Sequence, residues 1–156
     1  MKKLLLILIC LFVSFEVKSE SDNLSGKKLL CERLVETPTT RATYFDAFEF
    51  YSDVRLKHYS YLRTSASGIT KVSDAWSYET TVEQIILTLL NPIKYLKITF
   101  VINRQTLELV KIVRTTYNDD ASTFYSSCKI FDGDLYNHLK EIKQNFDNEV
   151  KSKQKI

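Results

Sequence analysis

The chain has 156 residues, of which 44% are apolar, 12% aromatic and 26% charged. This composition excludes a disordered segment, a collagen-like repeat and a multidomain enzyme, and it is typical of one globular domain. With only 3 glycines and 2 prolines, the chain has little material for a phosphate-binding loop or a flexible linker. The formal net charge of +3 is close to balance.

The N-terminal segment has the pattern of a secretory signal peptide. Lys2 and Lys3 are followed by an uncharged apolar run from Leu4 to Phe15. A helix of about twelve residues rises only ~18 Å, which is too short for a bilayer core of ~30 Å. We therefore predict a signal peptide over residues 1–19 and a single β-rich domain over residues 20–156. A retained membrane anchor and a buried N-terminal helix are the alternatives.

Removal of the signal peptide brings the domain close to neutrality. Residues 20–156 hold 19 basic and 18 acidic side chains, which gives a formal net charge of +1. A domain with so little net charge has no long-range field to attract nucleic acid or acidic lipid. We therefore predict no nucleic-acid partner and no stable membrane span after cleavage. The signal peptide predicts a periplasmic or secreted bacterial protein.

Two cysteines remain after cleavage, Cys31 and Cys128. Because exported domains fold in an oxidising compartment, we predict that these two form a disulfide. Closing so long a loop stabilises a fold by ~4–5 kcal/mol in the chain-entropy model. Two separate buried thiols are the alternative. Neither cysteine has a Cys or His at ligand spacing, so we predict no metal and no cofactor.

Alternation of apolar and polar residues predicts strands along most of the domain. The clearest signal is an antiparallel hairpin at 94–116, with a turn at Asn103-Arg104-Gln105-Thr106. Glu36 to Arg41 contains a proline and three threonines and is interpreted as a connection. Ile85 to Leu90 is predicted to be a buried segment that ends at an Asn-Pro break. The predicted strands are 27–35, 44–51, 54–62, 69–78, 96–102, 107–116 and 124–131.

The hydrophobic period changes from two to a helical spacing at the C-terminus, which predicts an amphipathic helix over about 133–151. Asp132 or Asp134 can cap its N-terminus. Its polar face mixes acidic and basic residues, so packing on the sheet is favoured over lying on a membrane surface. The apolar stripe consists of Leu135, Leu139, Ile142, Phe146 and Val150.

Together these elements predict a mainly β fold (α+β). We expect a curved or closed antiparallel sheet of about seven or eight strands, with the C-terminal amphipathic helix packed on it. A disulfide between Cys31 and Cys128 makes the first and last strands neighbours. That arrangement favours closure and removes exposed strand edges.

The residues that commonly carry catalysis are sparse. The chain has 2 histidines, His58 and His138, and we expect each to be a surface or partly buried polar residue. The chain contains neither a Gly-x-Ser-x-Gly nor a Cys-x-x-Cys motif. We therefore predict no catalytic residue and no enzymatic activity. A hydrolytic enzyme using His58 is a remote alternative, which requires this histidine to face a cleft within hydrogen-bond reach of a carboxylate.

Three stretches in this order, Leu24–Cys31, Ile102–Leu109 and Cys128–Leu135, resemble small uncharacterised exported proteins of marine Pelagibacter-like bacteria and their phages. That group has no assigned activity, so the resemblance implies a provenance and no site residues. The strand order followed by a C-terminal helix is also similar to lipocalin-like barrels. The Gly-x-Trp signature of that family is missing, because Gly26 is followed by two lysines. This second resemblance therefore concerns the fold alone.

Aromatic residues are abundant, with 9 Phe, 9 Tyr and 1 Trp. We expect most of them to fill the core, because a domain of this size needs large side chains to bury enough area. An aromatic-lined pocket for a small apolar ligand is the alternative. The sequence thus predicts a small exported non-catalytic binding or accessory protein of unknown ligand. A lipocalin-like carrier of a small apolar ligand is the second hypothesis.

Overall fold

The computed structural model describes residues 24–37, 40–52, 55–64, 67–91, 96–115 and 121–154. The predicted signal peptide lies outside these residues. Eight strands are followed by one helix, α1, at Leu135–Lys153. The strands are β1 (Lys28–Thr37), β2 (Thr40–Phe50), β3 (Arg55–Leu62), β4 (Thr70–Thr80), β5 (Gln84–Asn91), β6 (Leu96–Asn103), β7 (Glu108–Thr115) and β8 (Ala121–Ile130).

The strands form one antiparallel sheet that closes on itself. Each strand pairs with the next in sequence, and β8 pairs back with β1. Cys31 lies directly opposite Cys128 in that last pairing, with a Cα–Cα distance of 3.9 Å, and the two form a disulfide. The predicted curled antiparallel sheet and the predicted pairing of the two cysteines are both confirmed.

Side chains alternate between the two faces of each strand, so every second residue points into the barrel. One half of the interior is packed solid with buried apolar side chains, and we call this the filled half. Such a core is the expected destination of the aromatic residues, because buried rings remove large apolar areas from water. The filled half contains Leu29, Cys31, Phe48, Phe50, Leu56, Tyr78, Ile85, Leu87, Phe100, Ile102 and Leu109.

Helix α1 covers part of the outer surface of β1, β2 and β3. Asp134 caps its N-terminus, because the carboxylate of Asp134 accepts a hydrogen bond from the Asn137 amide at 2.9 Å. Leu135 and Leu139 are buried against the sheet. The helix therefore packs on the sheet as predicted, with its bounds two residues further along the chain. On the sheet, Leu135 and Leu139 pack with Leu30, Phe45, Ala47, Tyr59 and Tyr61.

Two regions show more strand structure than the sequence interpretation assigned to them. Thr37 pairs with Thr40, so β1 and β2 extend into the region that we interpreted as a connection. Threonine is β-branched and favours extended backbone, so the strands continue up to a short link. The buried segment at residues 85–90 is strand β5, paired with β6 along its whole length. No helix in the described part of the chain is long and apolar enough to cross a membrane.

Candidate functional site

Three ionisable side chains meet inside the barrel, next to the filled half. Asp46, His58 and Lys111 are respectively 2%, 6% and 8% exposed. His58 Nε2 donates a hydrogen bond to Asp46 Oδ1 at 2.8 Å, and Lys111 Nζ lies 3.3 and 3.4 Å from the two carboxylate oxygens. Buried charges are costly unless they are paired, and here one carboxylate serves both neighbours. We call these three residues the interior charged cluster.

Aromatic rings enclose this cluster. The His58 ring stacks on Phe48 at 5.0 Å and lies 5.1 Å from the ring of Phe100. Lys111 Nζ lies 5.0 Å from the Phe100 ring centre and 4.7 Å from that of Tyr44, whose hydroxyl is 3.4 Å away. Ring faces attract cations, and they do so more strongly where water is excluded. The rings thus hold the Lys111 side chain in place beside the carboxylate.

The protonation of Asp46 follows from these contacts. Burial by itself raises the pKa of a carboxyl group, because it disfavours the charged form. The hydrogen bond from His58 and the positive charge of Lys111 outweigh burial and hold the pKa of Asp46 below its ordinary value of 3.8. The carboxylate is therefore ionised at neutral pH, and its charge is already shared between two neighbours.

Beyond the cluster, the interior is less tightly packed, and we call this region the open half. Most of its described inward-facing side chains remain partly exposed, although Ala42 is buried. Their position follows from strand alternation, because each lies at an even spacing from an inward-facing residue of the same strand. They include Arg33, Val35, Tyr44, Ser60, Leu62, Val113, Ser122 and Phe124. The open half thus combines apolar and polar walls with a charged floor.

A second concave region lies outside the barrel, between the start of α1 and the outer face of β2 and β3. It has a volume of about 540 Å³. Lys57 and Tyr59 both contact Glu49 here, with atoms 3.8 and 3.3 Å apart. Burial, the charge of Glu49 and this hydrogen bond raise the pKa of Tyr59 to about 12. Two of the lysines in this groove, Lys28 and Lys57, are thus paired with Glu49.

The histidine expectation is only partly met by the structure. His58 is buried in the barrel rather than on the surface, and it lies within hydrogen-bond distance of a carboxylate, as the catalytic alternative requires. Only 6% of the His58 side chain is exposed, so little of the ring is open to solvent. His138 is partly buried and packs on the ring of Phe131 at 4.8 Å. Among the described residues, no group of three His, Cys, Asp or Glu side chains could hold a metal ion.

Sequence reasoning did not identify Asp46, Lys111 or Arg33 as site residues. The sequence did contain a signal for each of them. Each charged residue falls at a spacing of two from apolar residues of the same strand, so it lies on the face that is otherwise apolar. Lys111, for example, lies between Leu109 and Val113 at a spacing of two. A charged residue at such a position is expected to find a partner inside the fold. The identity of the partner could not be read, because it lies on a distant strand.

No protein-family model matches this chain, and neither the curated proteins nor the solved structures include a significant match.

Proposed function

We propose that the protein is an exported, non-catalytic binding protein, periplasmic or secreted, that holds a small ligand in the open half of its barrel. One observation carries this proposal, namely the contrast between the two halves of the interior. The filled half is packed with buried side chains, whereas inward-facing residues of the open half, such as Val113 and Phe124, keep accessible surface. Partly exposed apolar surface inside a fold is a common property of ligand sites.

The walls of this region favour a ligand that is largely apolar. Val35, Val113 and Phe124 contribute aliphatic and aromatic surface, and covering this surface with an apolar molecule is favourable. This supports the hypothesis of a carrier of a small apolar ligand. The disulfide between Cys31 and Cys128 supports export, because such bonds persist in oxidising compartments.

A dye titration tests the proposal. N-phenyl-1-naphthylamine is an uncharged apolar dye that fluoresces when it leaves water, and we expect saturable binding with one site per chain. Val113→Trp fills the open half and is expected to weaken binding at least about tenfold. Val82→Trp is the matched control, since Val82 is 71% exposed on the β4–β5 connection. Absence of saturable binding, or equal effects of both variants, would contradict the proposal.

Hydrolysis through His58 is the second candidate, favoured by its 2.8 Å contact with Asp46. An Asp–His pair is a recurring general-base arrangement. A screen of ester, amide and phosphoester substrates tests this candidate. Turnover that disappears in His58→Gln while the fold is retained would replace the binding proposal with an enzymatic one, whereas no turnover above the buffer rate excludes it for those substrates.

A further inference from the structure

The pairing of β1 with β8 is short. Both strands have 10 residues, yet their register joins only Leu29–Glu32 to Ser127–Ile130. By contrast, β1 pairs with β2 along its whole length. Beyond Glu32 and Ser127, the described residues of β1 and β8 show no pairing with each other, and we call this gap the seam. A groove of about 510 Å³ lies beside the seam and is lined by residues of β1, β7 and β8.

Arg33 lines this groove. Its guanidinium carbon lies 4.3 Å from the ring centre of Phe124 and 4.9 Å from that of Tyr44. Its Nε and Nη1 atoms are buried and have no hydrogen-bond partner among the described residues. The ring faces attract the guanidinium charge but do not accept its in-plane N–H groups. A buried donor without an acceptor costs free energy, and more so when it is charged.

The nearest interior acid does not supply the missing acceptor. The carboxylate of Asp46 is engaged by His58 and Lys111. Glu32 and Glu108 also line the groove, but both side chains are exposed on its outer side. Arg33 and Lys111 both contact the ring of Tyr44, so two cations border the same region. Arg33 therefore keeps two buried donors, Nε and Nη1, without an acceptor next to the open half.

We infer that the ligand is an organic acid, whose carboxylate is bound by Arg33 at the seam while its apolar part occupies the open half. This inference rests on the proposed ligand-binding function and adds the chemical class of the ligand. A guanidinium carries a permanent positive charge and several N–H donors, and both favour a carboxylate as its partner. Nε and Nη1, the two nitrogens that lack partners, lie on different edges of the guanidinium, so each can donate to one oxygen of an acidic ligand.

A competition experiment on the folded, disulfide-bonded protein tests this inference. Decanoate and decanol have the same apolar chain and differ in charge, and each is used to displace bound N-phenyl-1-naphthylamine. We expect wild-type protein to prefer decanoate. Arg33→Met keeps a long apolar side chain and is expected to weaken decanoate binding about 10- to 100-fold while leaving decanol binding unchanged. Arg33→Lys is expected to fall between the two, because lysine keeps the charge but does not place donors at the positions of both Nε and Nη1.

Arg114→Met is the matched control, since Arg114 is exposed on the outward face of β7 and its loss removes the same charge. Circular dichroism and a thiol assay verify that each variant is folded and oxidised. The inference is overturned if Arg33→Met weakens both ligands equally or neither, or if Arg114→Met has the same effect. If the wild type binds the dye and decanol but not decanoate, the inference fails and the proposed function stands. Failure to bind any of the three overturns the proposed function itself.

Discussion

Lys111 Nζ lies 3.3 Å from Asp46 Oδ1, although the two residues lie on strands that are not neighbours. Asp46 is on β2 and Lys111 is on β7, and β1 and β8 lie between these strands in the sheet. The ion pair therefore crosses the interior and links opposite walls of the barrel. Because both charges are buried, each depends on the other far more than a surface pair does.

Asp46→Asn is expected to lower the free energy of unfolding by about 3–5 kcal/mol, because it leaves Lys111 buried without a counter-charge. Urea unfolding followed by circular dichroism measures this change. Glu32→Gln is the control, since Glu32 is exposed, and its effect is expected to stay within about 0.5 kcal/mol. Equal stability of the two variants would show that the interior charged cluster does not contribute to the fold.

The same carboxylate makes stability depend on acid pH. The pKa of Asp46 in the folded state is below its ordinary value of 3.8, so the ionised form is bound more strongly by the fold. Its contribution is present above that ordinary value and is lost as the pH falls through the folded pKa. We expect the urea midpoint of the wild type to fall steeply below about pH 4. Asp46→Asn removes this contribution, so its urea midpoint should depend less on pH in this range. If the midpoints of variant and wild type fall in parallel with pH, Asp46 is not the group responsible.

Replacing both cysteines, as in Cys31→Ser with Cys128→Ser, is expected to destabilise the fold by about 4–5 kcal/mol in the chain-entropy model. The two residues are 97 positions apart, and their bond lies within the short stretch that joins β1 to β8. Thermal unfolding with and without dithiothreitol measures the effect. The reductant should lower the wild-type midpoint and leave that of the double variant unchanged. An equal response of both proteins would mean that the bond is not formed.

Tyr59 provides a test at alkaline pH. Burial, the nearby charge of Glu49 and the hydrogen bond to it raise the pKa of Tyr59 to about 12 from 10.0. The neutral phenol is thus favoured by the fold, and its contribution to stability is lost as the pH rises through this value. When tyrosinate absorbance is followed as a function of pH, one tyrosine should ionise at higher pH than an ordinary tyrosine. This step should disappear in Tyr59→Phe. Glu49→Gln should bring that group to lower pH, whereas the distant Glu32→Gln should not.

Local pattern predicted most of the elements correctly. The hairpin at 94–116 is β6 and β7, and the turn is formed by Asn103, whose side chain accepts hydrogen bonds from the amides of Gln105 and Thr106 at 2.8 and 2.9 Å. The helix predicted over 133–151 occurs at Leu135–Lys153. Alternation and helical spacing depend only on residues that are close in the sequence, so the amino-acid sequence alone is enough to reveal them.

Two features of the barrel depended on contacts between distant parts of the chain. The first is the interior charged cluster, in which β2, β3 and β7 each contribute one side chain. The sequence placed each of these residues on a strand, but their meeting depends on strand order and register. The second is the seam, which exists because β1 and β8 pair over only part of their length. Periodicity describes which face of a strand a residue occupies, whereas closure of the sheet decides what that residue faces across the interior.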